Sequence, residues 1–186
     1  MKSLKENFQK AHIVIIGSGI IGKFNALELS ELGFKVTIID PKQLQNSSNA
    51  ALGLLMGNMY QKRRGRSWDL RKQSIELWPQ WITFLQKFNS ELNIEKPLIQ
   101  LTTDRETFKK LEKFIYENDD QSLQVLERDS IFIKNINKAF QAKNIKGMIS
   151  FKDGRIDPFS LLQTLDKYLK HKKINFSERE IIKIRK

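Results

Sequence analysis

The apolar run Ile13-Val14-Ile15-Ile16 leads directly into Gly17-Ser18-Gly19-Ile20-Ile21-Gly22, and a second apolar run, Val36-Thr37-Ile38-Ile39, ends on Asp40. Few sequence features constrain a fold more tightly. A strand enters a Gly-x-Gly-x-x-Gly turn, a helical pattern follows, and a second strand closes on an acid, which is the layout of a dinucleotide-binding β-α-β unit. Each residue type has a physical task. Gly17 lets the backbone turn off the strand, Gly19 lets a pyrophosphate approach the main chain, and Gly22 lets the helix lie close on the sheet. The N–H groups of Ser18, Ile20 and Ile21 then face the phosphates at the positive end of the helix dipole. Asp40, with Pro41 ending the strand behind it, is placed to accept hydrogen bonds from ribose hydroxyls. The motif alone serves NAD and FAD alike.

The spacing predicts strands over 13–16 and 35–39, the first of them buried, and a helix over 20–32. Ile21, Phe24, Leu27, Leu29 and Leu32 would form the apolar face of that helix, with Gly33 just past its end. Residues 43–49 are polar and loop-like, and 50–57 are small and apolar without a clear period. A long helix is expected over 67–88, kinked or broken at Pro79, which lacks an N–H. A strand over 97–103 precedes the capping box Thr103-Asp104-Arg105-Glu106, opening a helix to 116. Residues 130–140 carry a weak helical signal, and 147–152 a strand that ends on an Asp153-Gly154 turn. Asp157-Pro158 supplies an N-cap and N1 pair for a helix over 158–169. Residues 174–184 are a strand candidate for return to the parallel sheet.

The 186 residues suit one domain or one domain with an insertion, and a mean hydropathy of −0.46 describes a soluble chain. The net charge is +12, half of it from residue 167 onward. A basic excess of this kind can mark nucleic acid or an anionic membrane. No nucleic-acid motif accompanies it, so a basic tail on a lysine-rich composition is the simpler reading. There is no cysteine, which excludes disulfides, thiolate metal sites and a cysteine nucleophile and fits a cytoplasmic location. The first ten residues lack the apolar core of a signal peptide, and no run is long enough to span a bilayer.

Three further segments narrow the class: Ser48-Asn49-Ala50-Ala51-Leu52-Gly53, Gly154-Arg155-Ile156-Asp157-Pro158, and the terminal Ile174-Asn175-Phe176 with Ile181-Ile182. In this order, after the glycine motif, the chain resembles the D-amino-acid oxidase (DAO) family of FAD-dependent oxidoreductases, and within it the glycine-oxidase-like enzymes associated with thiamine synthesis. The resemblance implies a mixed α/β fold. A Rossmann-type FAD-binding β-α-β domain (1–57 and 151–186) would carry an inserted, partial α+β substrate domain (58–150), truncated at the C-terminus. It also implies that Ser47, Ser48, Ala51, Leu52 and Gly53 join Gly17, Ser18, Gly19, Ile20, Ile21, Gly22, Asp40 and Pro41 in holding FAD. The serines and backbone N–H groups would meet the pyrophosphate, and the small residues would form a flat wall for the flavin. The family more often carries Glu than Asp at position 40. Its flavin-covering glycine segment and its substrate-carboxylate Arg lie in a C-terminal part with no counterpart here.

The implied reaction is oxidation of an amine or amino acid by hydride transfer to the flavin, with O2 as re-oxidant. The implied partners are a small amine substrate and a complementary C-terminal chain or a second copy. An NAD(P)-binding Rossmann module and a non-catalytic fragment remain the alternatives. No residue stands out as a catalytic acid or base. His12 precedes the first strand, His171 lies in the basic tail, Asp119-Asp120 reads as a solvated turn, and two isolated histidines without cysteine make no familiar metal site. Lys62-Arg63-Arg64-Gly65-Arg66, the sharpest basic cluster, reads as a solvated loop, with steering of an anionic substrate or contact with phosphate as the alternative.

Overall fold

The computed structural model describes residues 11–41, 47–118, 120–127, 130–134 and 145–183. The expected turn residue Asp119, residues 135–140 of the weak helical signal and Ile184 lie outside them. The chain divides into two compact units: Met1–Gly53 with Trp81–Leu92 and Asp157–Lys186, and Leu54–Gln80 with Asn93–Ile156.

The first unit is built on a parallel three-stranded sheet in the order β1 (His12–Ile16), β2 (Lys35–Ile39) and β8 (Asn175–Ser177), with Ile13 opposite Val36 and Ile38 opposite Phe176. Helix α1 (Ile20–Glu31) connects β1 to β2, and α5 (Pro158–His171) packs on α1. Gly33, at φ +86°, ends α1. Gly33 N–H donates to Ser30 O and Phe34 N–H to Leu29 O, both at 3.0 Å, which satisfies two carbonyls of the last turn. Asp157 caps α5 by accepting from Ser160 N–H at 2.8 Å, with Pro158 at the first helical position. Six residues of α5 are buried: Leu161, Leu162, Thr164, Leu165, Tyr168 and Leu169. Trp81, Phe84 and Phe88 join them, with Phe84 and Phe88 edge-on to Tyr168 at centroid distances of 5.5 and 5.3 Å. His171, assigned by sequence to the basic tail, is the last residue of α5, and its ring centroid lies 5.6 Å from that of Phe88.

Four expectations for this unit are corrected. The buried face of α1 is Lys23, Ala26 and Leu27, while Ile21 and Leu32 are exposed. The reason is α5: its Asp166 takes the Lys23 ammonium at 2.7 Å, so a charged residue turns inward. Strand β1 is only half-buried. Ile13 and Ile15 face the helices, whereas Val14 and Ile16 are 50% and 55% exposed on the other side of the sheet. The returning strand β8 spans three residues rather than eleven, and 178–183 take no regular structure. His12, expected to precede the first strand, is instead its first residue; it is exposed, and its Nε2 pairs with Thr37 Oγ1 at 2.8 Å.

Tyr168 anchors the end of α1. Its hydroxyl donates to Glu31 Oε1 at 2.6 Å and meets Ser30 Oγ at 3.0 Å, while Lys172 Nζ lies 2.7 Å from the same carboxylate. The Lys172 hydrogen bond, and then that of Tyr168, hold the Glu31 carboxyl below its ordinary 4.5. Burial, and then Glu31, push the Tyr168 hydroxyl up. A depressed carboxylate pKa contributes stability above the unfolded value that is lost as pH falls through the folded one. Glu31→Gln is therefore expected to flatten the dependence of melting temperature on pH below about 4.5. The Glu31 side chain is 42% exposed, so the change is modest. Parallel melting profiles for the two proteins would contradict the assignment.

The second unit holds an antiparallel sheet in the order β4 (Leu98–Thr102), β6 (Lys146–Ser150) and β5 (Leu123–Leu126). Helix α3 (Arg105–Asn118) buries Phe108, Leu111 and Phe114, and the last two pack with Met59 and with Leu123 and Met148 of the sheet. Leu126, Ile145 and Ile149 form a second cluster with Ile133 of the short α4 (Ile131–Lys134). A small ladder joins β3 (Leu54–Leu55) to β7 (Gly154–Arg155). The N-cap of α3 is Asp104, not Thr103. The Asp104 carboxylate accepts from Thr107 N–H at 2.6 Å, and Thr102 Oγ1 accepts from Asp104 N–H at 3.0 Å. Aspartate is the stronger acceptor, so it displaces the hydroxyl from the capping position. Helix α2 (Arg66–Leu85) runs unbroken through Pro79, and the division between the units falls one residue later, after Gln80.

Candidate functional site

At the end of β1 the chain continues one residue further in register, with Gly17 N–H donating to Ile39 O at 2.9 Å. Gly17 then adopts φ +101°, a region that side chains disfavour, and no heavy atom lies within 4 Å of where its Cβ would be. The turn is therefore open above Gly17. Gly22 makes the opposite demand: a Cβ there would fall 2.0 Å from Gly17 O and 3.4 Å from Ile15 Cγ2. Helix and strand touch at that point, and only hydrogen fits.

Gly19 is the N-cap of α1, extended at φ −68° and ψ −178°, and offers the helix no side-chain cap. The cap comes from another segment. Ser48 Oγ accepts from Ile20 N–H at 3.0 Å, and a Cβ on Gly19 would meet that same Oγ at 3.0 Å. One N–H of the first turn is thus satisfied by a hydroxyl. Ile21 and Gly22 also sit in that turn, where no helical carbonyl lies four residues back. Ile21 is 76% exposed, so this end of the helix opens to solvent.

Asp40 closes the cradle. Its Oδ2 accepts from Ser18 N–H at 2.7 Å, and its own N–H donates to Ser177 O at 3.0 Å, which ties the end of β2 to both the glycine turn and β8. The segment after β2 arrives as a turn over Ser47, Ser48 and Asn49. Of that segment, Ser47, Ala51 and Leu52 are exposed, Ser48 and Gly53 are half-buried, and Gly53 adopts φ +71°. Pro41 is exposed at the end of β2. The structure thus brings Gly17, Ser18, Gly19, Ile20, Gly22, Asp40 and Ser48 together at the start of α1. Sequence spacing carries no sign of the Asp40–Ser18 bond or of Ser48 acting as a helix cap, because both link segments far apart in the chain.

Fit to a dinucleotide can be tested on this geometry. The cradle combines an open turn, a helix N-terminus without a side-chain cap of its own, a hydroxyl, and a carboxylate at the tip of the neighbouring strand. These are the donor and acceptor types that a diphosphate and a ribose require, and a Cβ at Gly19 would crowd the serine that completes it. The residues fit the group.

The family model of the DAO FAD-dependent oxidoreductases matches residues 12–186. This chain belongs to that family. Among solved structures, the DAO-family chain is similar to glycine oxidase from Geobacillus kaustophilus (TM-score 0.77, 22% identity) and from Bacillus cereus ATCC 14579 (TM-score 0.74, 21% identity). Each match covers 92% of this chain and 48% of the other. Iminodiacetate oxidase from Chelativorans sp. BNC1 matches with a TM-score of 0.74 at 18% identity over 91% of this chain and 47% of that one. A curated relative, the uncharacterized oxidoreductase YurR of Bacillus subtilis (strain 168), is 26% identical over 114 residues, which are 60% of this chain and 31% of that protein. The DAO-family chain therefore spans about half the length of the solved relatives it matches. These likenesses agree with the expected α/β, FAD-binding fold class and with the family's cofactor, FAD. No helix among the described residues is long and apolar enough to cross a membrane, and none of their His, Asp and Glu side chains cluster as a metal site.

Proposed function

We infer that Gly17, Ser18, Gly19, Ile20, Ile21, Gly22 and Ser48 hold the diphosphate of FAD, that Asp40 holds the adenosine ribose, and that the 47–53 segment lies against the rest of the cofactor. The protein to which this chain contributes would then oxidise a small amine or amino acid. The observation that carries the reading is the start of α1, where a glycine N-cap, the Ser48 hydroxyl on Ile20 N–H, and Asp40 on Ser18 N–H converge. When bound, FAD supplies the hydride acceptor for the carbon bearing the amine, with O2 as the re-oxidant. The chain's own part is to bind and orient. Backbone N–H groups and the helix dipole offset the diphosphate charge. The Ser48 oxygen already accepts from the helix, so its O–H can donate to a phosphate oxygen. Asp40 accepts from Ser18 N–H, and a carboxylate offers about four lone-pair sites, so a ribose hydroxyl can donate to it as well.

The first unit belongs, on this reading, to the FAD domain, and the second to the substrate domain. Exposed Val14 and Ile16 on β1, whose sole strand partner among the described residues is β2, favour completion of the sheet by further polypeptide such as a complementary C-terminal chain. The test is an FAD titration read by quenching of flavin fluorescence, on the chain alone and mixed with the C-terminal half of a glycine oxidase. Saturable binding is expected in at least one arm. Asp40→Ala should weaken it about tenfold or more, as loss of a hydrogen bond to a charged group predicts. NADH should give no fluorescence enhancement. A folded protein that leaves FAD emission unchanged in both arms would overturn the reading.

A further inference from the structure

One end of the first unit gathers charge of a single sign. Strands β1, β2 and β8 run parallel, with His12 opposite Lys35 and Thr37 opposite Asn175. The glycine turn and Asp40 follow the last residues of β1 and β2, so the starts of the strands form the end opposite the FAD cradle. Helices α1 and α5 finish at that opposite end, three residues before β2 and β8 begin. Lys35 stands at the start of β2, and Lys170, Lys172 and Lys173 surround the end of α5, all of them exposed. Lys87 joins them, since its charge reaches Glu31. Of the acids in the last turns of α1 and α5, Lys172 takes Glu31 and Lys23 takes Asp166, both at 2.7 Å, and Glu28 is the third. Residues 1–10, which lead into β1 in the sequence, hold three lysines to one glutamate, so their net charge has the same sign.

The two helices end in the same way, with one difference. Lys173 N–H donates to Lys170 O at 2.9 Å and Ile174 N–H to Leu169 O at 3.0 Å, the pattern that Gly33 and Phe34 make at the end of α1. The residue after each C-cap has positive φ, +86° at Gly33 and +55° at Lys173, and Lys173 is the one non-glycine residue of this kind among the described residues. Glycine takes that conformation freely, whereas a lysine there is strained. The helix dipole accounts for cations at Lys170 and Lys172. It does not call for a lysine where glycine fits better, nor for Lys35 at the start of a strand. Backbone strain that persists is a pointer to function. Leu32, the C-cap of α1, is 61% exposed at the same end. The charges gathered there are lysines, hydrated point charges on flexible stems, rather than the arginine forks that read phosphates and bases. Mobile cations beside an exposed leucine complement a flat anionic surface with an apolar layer beneath it.

We propose that this end of the first unit docks on an anionic phospholipid surface, with Lys35, Lys170 and Lys173 over the headgroups and Leu32 at the edge of the acyl layer. The docking surface is separate from the FAD cradle and does not depend on the FAD reading. The experiment is co-sedimentation of the full chain with vesicles of equal parts phosphatidylcholine and phosphatidylserine, and with vesicles of phosphatidylcholine alone. Binding to the mixed vesicles is expected, with loss at high salt and none to the neutral ones. Lys173→Gly should lower the partition coefficient about fivefold, the share of one lysine near an anionic surface. The same variant relieves the strained φ, so its melting temperature should equal or exceed that of the wild type. Lys113→Gln removes the same charge from the exposed face of α3 in the second unit and should leave partitioning unchanged. Failure of the wild type to bind the mixed vesicles overturns the proposal, as does unaltered partitioning of a folded Lys173→Gly. An equal loss in Lys113→Gln also overturns it, by assigning the binding to the net charge of the whole chain. Retention on duplex RNA without retention on vesicles would give this end to a nucleic acid instead.

Discussion

Gly22→Ala is expected to destabilise the first unit by about 3 kcal/mol or more, although alanine is the better helix former by roughly 1 kcal/mol. The sign is decided by contact. The added methyl would lie 2.0 Å from Gly17 O and 3.1 Å from Gly17 C, both backbone atoms that no rotamer change can move. Relief requires either lifting α1 off β1 or reshaping the glycine turn. The first exposes Ala26 and Leu27, now at most 1% exposed. The second shifts the N–H groups of Ser18 and Ile20 away from Asp40 and Ser48. Chemical denaturation followed by circular dichroism should show the midpoint falling steeply, with FAD binding lost in parallel. A midpoint at or above that of the wild type would mean that helix and strand do not meet at Gly22.

Asp153→Ala is expected to have an effect of similar or greater size in the second unit. Asp153 is fully buried. Its Oδ1 accepts from Gly57 N–H at 2.8 Å and Asn58 N–H at 2.9 Å, and its Oδ2 accepts from Met59 N–H at 2.7 Å. Three consecutive amides thus converge on one carboxylate. Deleting it leaves all three without an acceptor, at about 1–3 kcal/mol each for buried groups, or on the order of 3–9 kcal/mol in total. That is a large share of the roughly 5–15 kcal/mol that holds an ordinary domain folded. Met59 and Phe114 share a cluster, so release of the 57–59 segment would also loosen the helix layer. Asp153→Asn retains one acceptor and should fall between the two. Urea unfolding measures both, and a loss below about 1 kcal/mol for the alanine variant would refute the role.

Asp153 also shows where sequence reading stops. The dipeptide Asp153-Gly154 reads as a turn, and it does follow a strand, but nothing local marks the aspartate as an acceptor for amides 94 to 96 residues away. Arg63 is similar: a run of basic residues reads as solvated, and only folding sets it between Trp68 and Phe114. Strand β5 escapes pattern analysis because its buried residues are Leu123 and Leu126, three apart, which breaks the alternation that marks a strand. The inward face of α1 is misread for a related reason. Leu27 keeps its expected place, but Lys23 replaces Ile21 because Asp166 of α5 supplies its counter-charge.

The amino-acid order alone determined the β1–turn–α1–β2 unit, the end of α1 at Gly33, the Asp157-Pro158 start of α5 and the family. These signals are short-range. A positive φ, a missing N–H, a cap three residues from its donor or a fixed glycine spacing is complete within a few residues. Tertiary structure alone decided that Ser48 caps α1, that Asp40 reaches back to Ser18, that Val14 and Ile16 face outward, and that Asp153 and Arg63 are held by distant segments. Hydrogen bonds and burial depend on which atoms meet in space, and for these residues the partners lie tens of positions away along the chain.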